Sequence, residues 1–179
     1  MRGVEMRPER RDDHEAVAAL HLAAFGDHGA RVVGLLNDLR VEPEAMSLVA
    51  ERDGDIAGHV LFSRGWIDAL RRLVEVAILS PVAVLPRQQR RGVGSALIRH
   101  GLQLLDELGV PAVFLEGSPQ YYGRFGFEGA VGAGFDKPSL RIPDEGFQIL
   151  RLGRYEPWMT GTVVYGDAFW RHDLVGLRD

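Results

Sequence analysis

A glycine-rich segment between an apolar run and an amphipathic pattern carries the most specific chemical signal in this 179-residue chain. Residues 82–97 read Val-Ala-Val-Leu-Pro-Arg-Gln-Gln-Arg-Arg-Gly-Val-Gly-Ser-Ala-Leu. Arg87, Arg90 and Arg91 precede two glycines that stand one residue apart and open a helix. The first N–H groups of a helix have no internal acceptor, and the helix dipole adds partial positive charge there. Since glycine has no β-carbon to keep a phosphate away, the segment predicts a pyrophosphate-binding site.

The same residues could instead form a tight turn with a solvated rim and no ligand, or belong to a nucleotide-binding domain. The Walker phosphate motif requires Lys and then Ser or Thr after its last glycine, whereas Ser95 and Ala96 follow Gly94. The dinucleotide fingerprint requires a third small residue three places after the second glycine, where Leu97 stands. A nucleotide-binding domain is therefore disfavoured, and the unliganded turn stays open.

The hydrophobic pattern predicts a mixed α/β domain that must position this segment. A buried central strand over 73–85, a helix over 92–108 and a strand over 110–115 form one right-handed βαβ unit. Pro81 cannot donate to a strand ladder, so we expect it at an edge or a bulge. The other predicted elements are strands at 4–7, 47–52, 56–67, 147–152 and 162–165, helices through 17–25 and 32–39, a short helical piece at 119–125 and a strand near 126–129.

Composition excludes several classes of protein. Hydrophobic residues make up 46% and charged residues 26%, which is typical of a soluble globular protein, and we expect a single domain over residues 1–179. The absence of cysteine excludes disulfides, thiolate metal sites and an acyl-cysteine mechanism. A net charge of -4 argues against a nucleic-acid partner. Without a secretion signal, a long apolar segment or a metal-binding histidine pattern, we expect a cytoplasmic protein with no membrane partner and no metal.

Two motifs together resemble one enzyme superfamily. Gln89-Arg90-Arg91-Gly92-Val93-Gly94 resembles the acyl-CoA signature [Gln/Arg]-x-x-Gly-x-[Gly/Ala] of the GNAT N-acetyltransferases. Residues 121–127, Tyr-Tyr-Gly-Arg-Phe-Gly-Phe, resemble the Tyr-x-x-x-Gly-Phe segment of the same superfamily. With residues 79–86 and 161–165, the chain resembles the YhbS-like branch of predicted acetyltransferases over nearly its whole length.

The resemblance implies a fold and a set of acyl-CoA contacts. It implies a central, twisted, mostly antiparallel sheet of about six to seven strands, splayed in the middle and flanked by helices on both faces. Pantetheine would pair with main-chain groups of the strand before the turn, and the pyrophosphate would bind N–H groups of the turn. The implied acyl-CoA-binding residues are Val82, Ala83, Val84, Gln89, Arg90, Arg91, Gly92, Val93, Gly94 and Ser95.

The resemblance also implies the chemistry, in which acetyl-CoA is the cosubstrate and a primary amine is the acceptor. Tyr122 matches the superfamily's tyrosine, and its phenol, with an ordinary pKa near 10, could protonate the departing thiolate. A backbone N–H near Ala83 would stabilise the oxyanion. For the general base we weigh Glu116 first, Glu75 second and water third. A solvated or salt-bridged glutamate is the alternative role of each carboxylate.

The sequence says less about the residues that bind the amine acceptor and about the oligomeric state than about acyl-CoA binding. His21 and Phe25 belong to the early helical region that usually lines the acceptor pocket in this superfamily, with core packing as their alternative role. The C-terminal strands, with Trp158 and Trp170, could support a homodimer. The competing hypothesis for the whole chain is a regulatory module that binds CoA without turnover.

Overall fold

The computed structural model describes residues 3–176 of the chain. These residues divide into two compact units. Unit 1 comprises the described residues up to Ser63 together with Ser80–Gln103. Unit 2 comprises Arg64–Leu79 together with the described residues from Leu104.

The described residues form nine strands and five α-helices. The strands are β1 (Val4–Pro8), β2 (Met46–Arg52), β3 (Asp55–Ala69), β4 (Leu73–Val84), β5 (Ala112–Glu116), β6 (Glu128–Gly129), β7 (Phe135–Asp136), β8 (Phe147–Arg151) and β9 (Gly161–Tyr165). The helices are α1 (His14–Phe25), α2 (Gly29–Leu39), α3 (Val93–Glu107), α4 (Pro119–Tyr122) and α5 (Asp167–Arg171). The seven strands of five residues or more match the expected six to seven, and β6 and β7 are further strands of two residues each.

Unit 1 is built on antiparallel pairing. β1 pairs with β2, and β2 pairs with the first part of β3, with a bulge between Ala50 and Glu51. The Leu85 N–H donates to the Ala57 carbonyl at 3.0 Å, which ties the end of β4 to β3. The middle residues of β2 and β3 are buried, as strands that pack on a core require.

Helix α3 lies close to β3 because, at two points, a glycine on one element faces bulky side chains on the other. A β-carbon on Gly58 would stand 3.0 Å from both Val93 and Leu97 of the helix. A β-carbon on Gly101 would stand 2.2 Å from Cε2 of Phe62 on the strand. This close packing holds the start of α3 next to the end of β4, which is where the glycine-rich turn lies.

Unit 2 contains the second half of β3 and the first part of β4. β3 pairs there with β9 in antiparallel fashion, and β4 pairs with β5 in parallel, Ala77 opposite Val113 and Ile78 opposite Phe114. β8 pairs antiparallel with β5 and β6. Phe114 packs edge to face against Phe135 with ring centroids 5.2 Å apart, and these buried rings form part of the core.

The mixed α/β class and the mostly antiparallel sheet are confirmed. The β1–β2, β2–β3, β3–β9, β5–β8 and β6–β8 pairs are antiparallel, whereas β4–β5 and β7–β9 are parallel. The helical and strand segments lie within a few residues of the predicted ones. Pro81 lies inside β4 and follows a cis peptide bond, which the sequence did not predict. Within residues 3–176, every helix is too short or too polar to cross a membrane.

Candidate active site

The glycine-rich turn connects β4 to α3 in unit 1. After β4 the chain makes one 3₁₀ turn over Pro86–Gln88. It then takes positive φ values at Arg90 (60°) and Gly92 (84°). Glycine adopts such a conformation without steric cost, whereas a residue with a β-carbon is strained there. The turn therefore depends on Gly92, and the helix begins at the next residue.

The first turn of α3 offers hydrogen-bond donors. The Ala96 N–H donates to the Gly92 carbonyl at 2.9 Å and is the first bond of the helical series. The N–H groups of Val93, Gly94 and Ser95 precede that bond, so they have no intrahelical acceptor. These three donors and the helix dipole favour an anion at this end of the helix.

Side chains around the turn add positive charge and hold the turn in place. Arg90 and Arg91 are exposed. Nε2 of Gln89 donates to the Val84 carbonyl at 3.2 Å, so Gln89 fixes the turn to the end of β4. Arg87 lies 3.4 Å from Asp55, in an exposed ion pair. The residues predicted to bind the pyrophosphate are therefore together in unit 1, with their arginines open to solvent.

The strand residues predicted to contact pantetheine are adjacent to this turn. Val82 and Val84 are half-buried, whereas Ala83 is buried. The Val84 carbonyl already accepts the hydrogen bond from Gln89. Ala83 also has its carbonyl near the position that a β-carbon of Gly58 would take, at 3.3 Å. The main-chain groups at the end of β4 are thus placed by β3 on one side and by the turn on the other.

Glu116, the last residue of β5 in unit 2, has an unusual environment for a carboxylate. Its oxygens accept the Gly176 N–H at 3.1 and 3.4 Å. Burial raises its pKa to about 7, although the Gly176 N–H, the Tyr165 hydroxyl and the charge of Arg141 oppose that rise. A carboxyl group with a pKa near neutrality can take up a proton and release it again under physiological conditions.

Tyr122, at the end of α4 in unit 2, is a half-buried aromatic residue. Burial raises its pKa to about 12, with a contribution from Tyr121. Its ring lies edge to face against Tyr121 at 4.9 Å and against Phe127 at 5.9 Å. The phenol therefore keeps its proton at neutral pH and can act as a donor.

The second candidate for the base has a different environment. Glu75 is exposed on β4 in unit 2, and its carboxylate lies 3.8 Å from Nη1 of Arg64. That is the arrangement expected of a solvated, salt-bridged glutamate, and such exposed pairs contribute little stability. Of the two carboxylates, Glu116 has the environment that suits a general base.

His21 and Phe25 lie one helical turn apart on α1, with stacked rings whose centroids are 5.7 Å apart. His21 is fully buried, whereas Phe25 is half-buried. His21 also contacts His59 of β3, a pairing that the sequence did not predict. The signal in the sequence was weak: His59 lies in the middle of an apolar strand, and His21 on the apolar side of a helix.

Among residues 3–176, no group of three or more acidic, histidine or cysteine side chains is placed to hold a metal ion.

A glycine-rich turn between a strand and a helix of a mixed α/β fold is suited to a cosubstrate that carries phosphate groups. Residues 5–130 match the family model described as the acetyltransferase (GNAT) domain, and the chain belongs to this family. It is 36% identical over 138 residues to the N-acetyltransferase YjhQ of Escherichia coli strain K12, an alignment that covers 75% of each chain.

Two solved structures are also similar. The GNAT family N-acetyltransferase YhbS of E. coli, in complex with CoA, superposes with a TM-score of 0.86 at 30% identity and covers 98% of this chain and 96% of that one. A GNAT family acetyltransferase of Brucella melitensis, in complex with acetyl-CoA, gives a TM-score of 0.70 at 31% identity over 94% of this chain and 99% of that one. The superfamily and the YhbS-like branch inferred from sequence are thereby confirmed.

Proposed function

We propose that this chain transfers the acetyl group of acetyl-CoA to a primary amine of a small molecule or peptide, by direct attack in a ternary complex. The observation that carries the proposal is the start of α3, where Gly92 turns the chain at positive φ and the next N–H groups precede the first intrahelical bond. Relatives of this chain have been crystallised with CoA and acetyl-CoA, which supports the choice of cosubstrate.

In the proposed complex, the pyrophosphate binds the N–H groups of Val93, Gly94 and Ser95. Arg90 and Arg91 are exposed beside them and add attraction for the phosphates. The pantetheine arm pairs with main-chain groups of Val82, Ala83 and Val84 at the end of β4, which Gln89 ties to the turn. Backbone N–H groups supply much of this binding. The residue types that matter most in the turn are therefore its glycines.

The proposed reaction forms a C–N bond and breaks a C–S bond. The amine lone pair attacks the thioester carbonyl carbon, and the carbonyl electrons move to oxygen, where the N–H of Ala83 donates to the oxyanion. The nitrogen loses one proton to a base. The oxyanion then reforms the carbonyl, the thiolate of CoA leaves, and a general acid protonates the sulfur.

We assign the base to Glu116 and the acid to Tyr122. The pKa of Glu116 near 7, which burial causes, supports a group that is ionised often enough to accept a proton and basic enough to hold it. The raised pKa of Tyr122, also caused by burial, supports a phenol that still carries its proton when the thiolate departs. We further assign acceptor contacts to His21 and Phe25 on α1.

The test is a thiol-release assay with acetyl-CoA and a panel of primary amines that covers polyamines, amino sugars and peptide N-termini. We expect CoA release that depends on one class of amine, with the N-acetyl product identified by mass spectrometry. The control is the acetyl-CoA dissociation constant measured on the same sample. Binding without turnover on any amine would favour the regulatory module, and no binding would remove both functions.

A further inference from the structure

Four polar side chains in unit 1 form a connected, buried series of hydrogen bonds, which we call the relay. Glu9 follows β1, Ser47 lies on β2, His59 on β3 and His21 on α1. The Ser47 hydroxyl lies 2.5 Å from Oε2 of Glu9 and 2.8 Å from Nε2 of His59. Nδ1 of His59 lies 2.8 Å from Nε2 of His21. The relay therefore links β2, β3 and the end of β1 to the first helix.

The carboxylate of Glu9 sets the direction of every bond in the relay. An ionised carboxylate only accepts hydrogen bonds, so Ser47 donates its one hydroxyl proton to Glu9. Ser47 must then accept from Nε2–H of His59, which leaves Nδ1 of that neutral imidazole as an acceptor. His21 in turn donates from Nε2, and its own Nδ1 carries no proton.

Glu9 remains ionised in spite of its burial. Burial by itself would raise its pKa, but interactions with His59 and Ser47 and the charge of Arg40 outweigh burial and hold the pKa below its ordinary value. Nη2 of Arg40 lies 3.2 Å from Oε1 of Glu9, and both side chains are almost fully buried. This ion pair balances the charge within the cluster, so an added proton would leave a net positive charge inside unit 1.

Both imidazoles are neutral in this setting. Both rings are fully buried. Burial lowers the pKa of His21 to about 3, and the charge of Arg40 lowers it further while Glu9 opposes that change. Burial likewise lowers the pKa of His59. Neutral imidazoles carry one proton each, as the direction of the relay requires.

The far end of the relay is unsatisfied. Nδ1 of His21 is buried and has no hydrogen-bond partner among the described residues. A buried polar atom left without a partner costs about 1–3 kcal/mol. Folded proteins meet that cost with a ligand, an ordered water molecule or a functional role. A nitrogen with a lone pair, held in one tautomer by three other side chains, is suited to receive a donor.

We propose that Nδ1 of His21 is the acceptor atom of a binding site for one neutral N–H or O–H donor. The donor is neutral because the cluster already contains Arg40 and excludes a second positive charge. The donor is small because His21 is fully buried. A water molecule and a small uncharged amine or hydroxyl compound share this chemistry.

This proposal rests in part on the proposed contact between His21 and the acetyl acceptor. It specifies that contact further, because it names Nδ1 as the contacting atom and requires the acceptor to be uncharged. An uncharged amine is the form that attacks a thioester, so a site that refuses the ammonium form would suit an acetyl acceptor. The relay and its free nitrogen lie in unit 1 and can be tested without turnover. A result that contradicts the proposed site at His21 would not contradict acetyl transfer. A result that contradicts acetyl transfer would not contradict the site at His21.

The first test is imidazole ¹⁵N NMR on ¹⁵N-histidine-labelled protein at neutral pH, with resonances assigned by through-bond correlation to the backbone. We expect both His21 and His59 as neutral Nε2–H tautomers, each with an unprotonated Nδ1. A proton on Nδ1 of His21, or a positively charged His21, would overturn the proposal. This measurement uses the unmodified protein and requires no variant to fold.

The second test adds hydroxylamine, which is uncharged at neutral pH, and compares it with methylammonium, which is similar in size and cationic. An upfield shift of the His21 Nδ1 resonance with hydroxylamine alone would support a small-molecule site. A resonance that is already at the hydrogen-bonded position and does not respond would support an ordered water molecule. A resonance at the non-bonded position that responds to neither compound would overturn the binding site.

A variant tests the source of the relay's direction. Gln at position 9 can donate as well as accept, so the Glu9→Gln variant should show both tautomers of His21 in place of one. A His21 that keeps a single Nε2–H tautomer in the folded variant would overturn the role of Glu9. The folded state is checked by circular dichroism, and the wild-type spectrum stands as the independent test if the variant does not fold.

Discussion

The ring of Tyr122 lies against the backbone of Gly117, so closely that a β-carbon at Gly117 would stand 2.4 Å from Cε2 of the tyrosine. Gly117 directly follows Glu116, the carboxylate whose pKa burial raises to about 7. A single small residue therefore determines where the phenol lies beside the end of β5. The contact places the Tyr122 ring against the residue that follows Glu116 in the chain.

Replacing this glycine should displace the phenol. We predict that Gly117→Ala lowers kcat by at least about tenfold, because the new β-carbon pushes the Tyr122 ring out of position. The overlap should also cost about 1–3 kcal/mol of unfolding free energy. The measurements are steady-state kinetics and urea unfolding. Acetyl-CoA affinity should change little, since Gly117 is not one of the residues to which we assign acyl-CoA contacts.

Gly123 provides a matched control next to the same tyrosine. A β-carbon on Gly123 would meet no atom within 4 Å, and its φ of -55° is helical. Gly123→Ala should therefore retain wild-type kcat. Equal kcat values for Gly117→Ala and wild type would show that the position of the Tyr122 ring does not limit the reaction.

Removing the phenol proton is a more direct test of Tyr122. We predict that Tyr122→Phe reduces kcat by about 10²-fold, which is the scale of general acid catalysis, with the acetyl-CoA dissociation constant unchanged. The matched control is Tyr121→Phe, whose ring packs edge to face on Tyr122. A Tyr122→Phe enzyme as fast as Tyr121→Phe would remove Tyr122 from the mechanism.

The pH dependence of the reaction tests Glu116. Its pKa of about 7, raised by burial, means that the base form is lost as pH falls below neutrality. We predict that kcat, measured at saturating amine so that protonation of the free amine does not enter, increases with pH and levels off above about pH 7. In Glu116→Gln the rate should fall about 10²-fold, and this acid limb should disappear.

Glu75 serves as the control carboxylate. It is exposed beside Arg64, and Glu75→Gln should keep both the rate and the acid limb. If the limb vanished in Glu75→Gln and persisted in Glu116→Gln, the two assignments would have to be exchanged. If neither substitution altered the profile, water would be the proton acceptor, as for an amine of low pKa.

Stability at acidic pH tests the burial of His21. Its pKa is about 3 when folded, chiefly because of burial, against an ordinary value of 6.5. Below pH 6.5 the unfolded state binds a proton that the folded state refuses, so stability is full above that pH and declines toward about pH 3. The slope should be up to about 1.4 kcal/mol per pH unit for each such histidine.

Urea unfolding at several pH values measures this slope. His21→Gln should reduce it by about one histidine's share, because the titrating group is gone while Glu9, Arg40 and His59 remain. Equal slopes for wild type and His21→Gln would indicate that His21 takes up protons in the folded protein.

Local patterns in the sequence predicted much of this molecule. Runs of apolar residues located the strands, and helical spacing located α1, α2 and α3 to within a few residues. The turn at Gly92 was predictable because its chemistry depends on neighbouring residues and on backbone N–H groups. The glycines, the arginines and the start of the helix all lie within one short segment of the sequence.

Long-range contacts were beyond the same reasoning. The Gly176 N–H reaches Glu116 from 60 positions away, and His21 meets His59 across 38 positions. The spacing of apolar residues does not predict such pairings, because they depend on how the helices and strands pack together. The contact of Tyr122 with Gly117 was missed for a related reason: the sequence contains 22 glycines, and nothing local marks the one that a ring requires.

The proposed reaction depends first on the glycine-rich turn, which must bind the pyrophosphate of acetyl-CoA. Isothermal titration of Gly92→Asp and Gly92→Asn tests this binding, with CoA and ATP as further ligands. Both variants place a side chain of the same size at φ 84°, where Asn and Asp are tolerated better than most residues. They differ in one negative charge, and comparable unfolding midpoints would show that both fold.

We predict that the wild-type protein binds acetyl-CoA and CoA but not ATP. Gly92→Asp should weaken acetyl-CoA binding at least about 100-fold, and Gly92→Asn by less than about tenfold, because only the carboxylate repels the phosphates. Equal affinities for wild type and Gly92→Asp would contradict the proposed pyrophosphate site, and so would a wild-type protein that binds neither acetyl-CoA nor CoA.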